Sequence, residues 1–493
     1  MFRGRRKPLA RRARRAHRAY RTAGARRVAT VAISCVLTLA MGAGYIAADI
    51  ADVAPGLLTL RQVAPRAVPA TLTAKGVGEP ALVADLGHPR AVDAAKAQAL
   101  VDRMAATEGI GSLSAAIGDA TGNIVSSHDA DKALEPASTM KTLTALAAAS
   151  TLDMASTLDT EVHLRQGESA DTLVLKGNGD MLLSAGASDS DHTNGRAGLA
   201  TLAERTAAAL RQRGIGTVHL EYDDGLFGEE RYPARMDEIN ADHIYYTGVS
   251  SMAVDGGRQW TGANRAPADP DDAPGYPLLS QSTAQDAAAT FARLLADQGI
   301  TMSGDIATGT APAGSPLASV SSATLGEIMA YMLRHSDNTL AEEFGRLTAL
   351  AMGKDNSPTG ATEAVREELR TLGIDTTGLV MSDCSGLSPG SVLSVRTLVG
   401  VQSRNIEAGG AAAPAEGLSV AGLVGTAGKR IGGDSAGLVR AKTGSLSNVA
   451  SMSGNVSRIG GGVLTFAVIV NDPEDYGAAR EAIDAFVGQL AEL

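Results

Sequence analysis

Residues 136–152 read PASTMKTLTALAAASTL. Past Pro136 the segment has no glycine or proline, and Lys141 is its one charge. Alanine and leucine dominate it, and both favour helix. A buried helix over 139–152 is expected, with Ser138 at its start. A lysine inside so apolar a helix is unusual. Positions i and i+3 share a helix face, so the Ser138 hydroxyl and the Lys141 amine should meet.

Outward from this helix the pattern is regular. Residues 91–104 have helical spacing of apolar positions. SLSAAIG (112–118) and NIVSS (123–127) read as a strand pair turned at 119–122. Helices follow at 284–298, 325–335 and 338–352. The chain closes with strands in LVRAKTG (438–444), SNVASMSGNV (447–456) and GVLTFAVIVN (462–471), then a helix over 476–493. Strands at both ends with helices between predict an α/β (α+β) domain, an antiparallel sheet with flanking helices. Residues 161–282 differ in texture: short strand-like runs alternate with Gly, Asp and Pro turns around one helix at 197–212. This block is read as an inserted, β-rich domain.

The N-terminal part is of another kind. Net charge over 493 residues is −10, yet residues 1–27 hold eleven Arg and one Lys and no acid. Removing those twelve from 44 basic residues leaves 32 against 54 acidic ones, or −22. Residues 28–48 (VATVAISCVLTLAMGAGYIAA) carry no charge. Roughly 20 apolar residues span a bilayer, and Arg-rich flanks stay on the cytoplasmic side. The expectation is a basic cytoplasmic tail (1–27), a single-pass transmembrane anchor (28–48), a linker (49–90) rich in Ala, Val and Pro, and an extracellular remainder, secreted if the segment is cleaved. Beside such a segment the Arg tail is a topology signal, so no nucleic acid is expected as a partner. Two cysteines, Cys35 and Cys384, make no disulfide framework, and no His spacing suits a metal.

Three short motifs carry the chemistry. The first is Ser138-Thr139-Met140-Lys141. A serine hydroxyl needs a base, and a desolvated lysine can be one. The chain uses nine Lys against 35 Arg, so arginine does its ordinary charge work, and arginine cannot give up a proton. The helix start adds N–H groups that favour an oxyanion. The second motif is Ser336-Asp337-Asn338, between two helices. Its plain reading is an N-cap. Its chemical reading gives Ser336 a proton relay and Asn338 a hold on Lys141 and a substrate amide. The third is Lys442-Thr443-Gly444-Ser445, on a strand. Lys442, Thr443 and Ser445 can bind a carboxylate, Gly444 lets a ligand backbone come close, and the Ser445 N–H can supply an oxyanion donor.

S-x-x-K, S-D-N and K-T-G in this order resemble the signature of penicillin-binding proteins and serine β-lactamases. The interval of 198 residues between Ser138 and Ser336, and of 106 from Ser336 to Lys442, resembles the D-alanyl-D-alanine carboxypeptidase/endopeptidase family of the penicillin-binding protein 4 type (peptidase family S13). DCSGLS (383–388) is similar to that family's DGSGLS, GNGD (177–180) to its GGGD turn, DDGLF (223–227) to its DDSxF strand end and GVSSMAV (248–254) to its P-x-S-A-L-x-V segment. The likeness covers about 91–493. After Ser388 the family's Arg-Asx-Asn run is replaced by Pro389-Gly390-Ser391, Cys384 stands where Gly is usual, and the insert is short for the family.

The resemblance implies a β-lactamase/transpeptidase-like catalytic domain from 91–160 and 283–493, with the insert at 161–282 between. It implies a serine-type D-Ala-D-Ala carboxypeptidase that removes the terminal D-Ala from peptidoglycan stem peptides through a Ser138 acyl-enzyme. Ser138, Lys141, Ser336 and Asn338 would be catalytic, and Lys442, Thr443, Gly444 and Ser445 would bind substrate. No cofactor is required, and β-lactams would be covalent inhibitors. The alternatives are a β-lactamase, set apart by rapid deacylation, and a DD-endopeptidase cleaving cross-links.

Overall fold

The computed structural model describes residue 32 and residues 34–46, 91–167, 171–262, 264–272, 275–407 and 412–493. The chain forms two units, 1–80 and 81–493. In the first, residues 34–46 are helical, and Val36, Leu39 and Met41 on that helix are exposed. No helix among the described residues is long and apolar enough to cross a membrane. The rest of the expected span 28–48, the tail 1–27 and the linker 49–90 lie outside the described residues.

The second unit has a mixed α/β fold built around two six-stranded sheets. In the first sheet the order is Ser419–Val420, Val439–Leu446, Val449–Ser457, Val463–Asn471, Ser112–Gly118 and Ile124–His128, every pair antiparallel. The chain's last strand lies beside its first, with Ala467 opposite Ala116. Alternate side chains of a strand point to opposite faces, and here both faces are covered. Leu113, Ala115 and Ile117 join the core under helices Ala94–Ala105 and Tyr476–Gly488. Ala116, Ala467 and Ile469 join the core under Lys141–Thr151 and Val395–Ile406. That double burial explains why GVLTFAVIVN is an almost continuous apolar run.

The second sheet runs Ala318–Thr324, Thr157–Arg165, Asp171–Gly177, Thr217–Asp223 and Thr301–Met302, with Ala307–Thr308 also beside Thr217–Asp223. Its central pair, Asp171–Gly177 and Thr217–Asp223, is parallel. Helices Leu199–Gln212 and Thr283–Asp297 contribute Leu202, Leu210, Phe291 and Leu295 to its core. This sheet with helices on it takes in residues on both sides of the expected insert 161–282, since Ala318–Thr324 pairs with Thr157–Arg165. Helix Thr283–Asp297 and the strands at 301–324 join the second sheet and its core. Thr301–Met302 and Ala307–Thr308 are two residues each, and the latter is exposed at both positions, so no apolar alternation marks them.

Candidate active site

Ser138 does not begin the long helix directly. It sits in a single 3-10 turn, Ala137–Met140, that leads into Lys141–Thr151. In a 3-10 turn residues i and i+3 eclipse, which brings the Lys141 Nζ to 2.9 Å from the Ser138 Oγ. Ala137 enters this turn with φ of 48°, a left-handed conformation that non-glycine residues seldom hold without support. The support is close packing. Gly386 lies so near that an added Cβ would stand 1.9 Å from the Ala137 carbonyl oxygen, and at Gly444 it would stand 2.8 Å from that of Pro136. Ser451 Oγ, on the strand beyond, donates to the same Pro136 oxygen at 2.7 Å.

Lys141 is fully buried. Its Nζ also lies 2.7 Å from the Asn338 Oδ1 and 2.9 Å from the Ser385 carbonyl oxygen. Burial pulls its pKa down to about 8, against the opposing pull of Asp383 and Asp337. Two of the three partners are carbonyl oxygens, which only accept; the third, a hydroxyl, can also donate. A neutral amine therefore fits: two N–H groups go to Asn338 and Ser385, and the lone pair faces the Ser138 hydroxyl.

Residues 383–388 are wrapped around one carboxylate. Asp383 accepts from the Ser385 hydroxyl and from the N–H groups of Gly386, Leu387 and Ser388. The Cys384 N–H donates to Glu342 Oε1 at 2.5 Å and the Thr144 hydroxyl to the Cys384 carbonyl. Burial pushes the Glu342 carboxyl well up. The fixed loop turns the Ser385 carbonyl toward Lys141.

The capping of a helix by Ser336-Asp337-Asn338 leaves two of the three side chains free to reach both lysines. Asp337 is the N-cap of helix Asn338–Ala351, accepting from the Leu340 N–H at 3.0 Å. Ser336, at φ of 60°, ends helix Leu325–His335. The two-residue corner leaves Ser336 and Asn338 on the site. Lys442 Nζ donates to the Ser336 Oγ at 2.9 Å and to the Thr443 carbonyl at 2.7 Å. Lys442 is fully buried, and burial, with Lys141 adding to it, holds its pKa well below the usual lysine value. Thr443 Oγ1 donates to Thr426 Oγ1 at 2.7 Å, and Ser445 is exposed. The neighbouring strand Ser419–Val420 pairs only with Ala441 and Arg440, so the following residues are not paired on that side by it. Beside them opens a cleft of about 400 Å³, lined among others by Ser336, Asn338, Thr426, Val424, Tyr245 and Tyr276.

The structure thus draws the expected residues together through two bridges, Ser138–Lys141–Asn338 and Ser336–Lys442, with Gly444 pressed on the nucleophile turn. Sequence reading missed the Ser385 carbonyl, Glu342, Thr426 and Tyr245. The first is a backbone group, which no side-chain motif announces. Glu342 had a signal, a carboxylate on the buried face of an amphipathic helix.

A serine-bearing turn with a buried lysine against it, packed on such a sheet, points to the class of penicillin-binding serine peptidases. The pattern of the D-Ala-D-Ala carboxypeptidase 3 (S13) family matches residues 97–279 and 275–493. Carboxypeptidase DacB of Mycolicibacterium smegmatis is 32% identical over 474 residues, covering 92% of this chain and 96% of that protein. The D-alanyl-D-alanine carboxypeptidase of Actinomadura sp. strain R39 is 30% identical over 469 residues, 78% and 82% of the two chains. Penicillin binding protein 4 (dacB) of Haemophilus influenzae, at 19% identity, shares the fold with a TM-score of 0.63 over 82% of this chain and 100% of its own; it has also been solved with a novel β-lactam. The chain belongs to the S13 family of D-Ala-D-Ala carboxypeptidases and is a peptidase.

Proposed function

We propose that Ser138 is the nucleophile that removes the terminal D-Ala from peptidoglycan stem peptides. Its Oγ attacks the carbonyl between the last two D-Ala residues while neutral Lys141 takes the proton. N–H groups of Ser138 and Ser445 hold the oxyanion. Ser336, backed by Lys442, passes a proton to the leaving nitrogen as the C–N bond breaks and free D-Ala departs. Water then attacks the Ser138 ester and releases the shortened peptide. The observation that carries this reading is the Lys141 amine, fully buried and bridging Ser138, Asn338 and Ser385 within 2.9 Å. Lysine, unlike arginine, can lose its charge in such a place.

The unpaired strand edge at Lys442–Ser445 would take the substrate as an added strand. A terminal carboxylate arriving beside Thr443 would bring the negative charge that keeps a proton on buried Lys442. β-Lactams, as cyclic amides with a carboxylate, would acylate the same serine. Ser138→Ala should abolish both D-Ala release and covalent labelling by a fluorescent penicillin. Labelling that persists in the folded variant would remove Ser138 from the mechanism.

Residues 28–48 would anchor the chain in the cell membrane, with 1–27 cytoplasmic and the catalytic part outside. The Arg excess beside an uncharged apolar run supports this, as do the uncovered Val36, Leu39 and Met41 side chains. The catalytic domain would be formed by the chain on either side of the insert.

A further inference from the structure

The insert carries none of the three catalytic motifs, yet it grips the second of them at every residue that the first sheet leaves free. Asp337 has two carboxylate oxygens. Oδ1 caps helix Asn338–Ala351, and Oδ2 accepts from Arg258 Nη2 at 2.7 Å. Arg258 belongs to the insert, and its side chain is only 6% exposed. Its other terminal nitrogen, Nη1, donates to the carbonyl and carboxylate of Asp255 at 3.1 and 3.2 Å. Asp255 is itself fixed, by the indole N–H of Trp260 at 2.6 Å and the amide of Asn194 at 2.7 Å. A continuous hydrogen-bonded chain therefore runs from the body of the insert to the corner between Ser336 and Asn338. The next residue repeats the grip. Asn338 Nδ2 donates to the Tyr245 carbonyl at 2.8 Å, which turns its Oδ1 toward Lys141.

Ser336 holds a left-handed conformation, and nothing in its own side chain favours that state. The corner persists because its neighbours over-determine it. We propose that Arg258 is a positioning residue for the acyl-transfer reaction: by clamping Asp337 to the insert it fixes the Ser336–Asn338 corner against Lys141 and Lys442, so that the insert is part of the catalytic apparatus. This rests on the reading of Ser138 and Lys141 given above. Arg258 touches no substrate; it acts through where it holds Ser336 and Asn338. Misplacement of such groups by about 1 Å costs on the order of 100-fold in rate.

Arg258→Lys keeps the charge but loses the planar fork that reaches both aspartates. In the full chain, its acylation by fluorescent penicillin should slow ~10- to 100-fold, with kcat for D-Ala release falling in parallel and KM changing less than about 3-fold. Arg258→Met leaves Asp337 buried without its cation and should lower the melting temperature. Adding Asp337→Asn, which keeps an oxygen for the Leu340 N–H, should restore the melting temperature and leave acylation slow. A purely structural arginine would instead recover its rate with its stability. Wild-type acylation in any of these folded variants, or a loss confined to KM, would overturn the role of Arg258. Labelling lost in Ser138→Ala but unchanged in Arg258→Lys would overturn it while leaving the nucleophile assignment intact.

Discussion

Lys141 shows how much one buried amine decides. A lysine in water keeps its proton to about pH 10.4 and is no base at neutral pH. Here burial brings the pKa to about 8, and the proton's departure leaves all three neighbours satisfied. The direction of the pH dependence follows. In the proposed mechanism the unprotonated amine is the active form, so acylation should rise about tenfold per pH unit below pH 8 and level off above it. Acylation rates measured by stopped flow between pH 6 and 10 test this; a rate independent of pH across that range would mean that another group takes the proton. Lys141→Arg, which cannot lose its charge, should fall by a factor on the order of 10²–10⁴ over the same range.

Among elements, the nucleophile turn is held by contact rather than by propensity. The turn Ala137–Met140, the strand Val439–Leu446 and the loop 383–388 meet where glycine leaves room, at Gly386 and Gly444. Gly444 has a distinct cost of substitution: a Cβ there would stand 2.1 Å from Ser451 Oγ and 3.1 Å from Ala137 Cβ. Gly444→Ala should therefore push the strand off the turn, costing about 1–3 kcal/mol and slowing acylation. Gly216→Ala, which meets nothing within 4 Å, is the control and should leave both unchanged. Calorimetry and the penicillin assay, run on the two variants together, check this; equal behaviour would mean that the strand yields without disturbing Ser138. Two helices on or near this site, Pro358–Thr371 and Val395–Ile406, were not assigned from sequence. Ser357 as cap, Pro358 at the first turn and buried Ala361, Val365 and Leu369 four residues apart are a helix signature.

For the whole molecule, charge is divided as sharply as structure. Twelve basic residues and no acid precede residue 28, and the remainder is −22. A chain with this asymmetry around an uncharged apolar run should place the basic end inside. Protease added to intact protoplasts should remove the catalytic part and spare an N-terminal tag. Protection of the catalytic part would reverse the topology. The acidic surface of that part also means that an anionic peptide end must be met by local groups in the cleft, not by the field of the protein.

The sequence by itself determined the family and the order of the three motifs and pointed to Ser138 as the proposed nucleophile, because each rests on residue types whose chemistry is local: a hydroxyl and an amine one helical turn apart, a capping trio, a strand with a glycine. It also foretold the first sheet, since strands buried on both faces leave long apolar runs. Only the tertiary structure decided what holds these pieces to one another. Asp337 to Arg258, Glu342 to Cys384 and Gly444 to Pro136 join residues 42 to 308 positions apart, and long-range contact leaves no periodic trace in a single chain. The extent of the second sheet beyond residue 282 escaped for the same reason. Thr301–Met302 and Ala307–Thr308 are two residues each and are strands because of what they pair with, not because of what they contain.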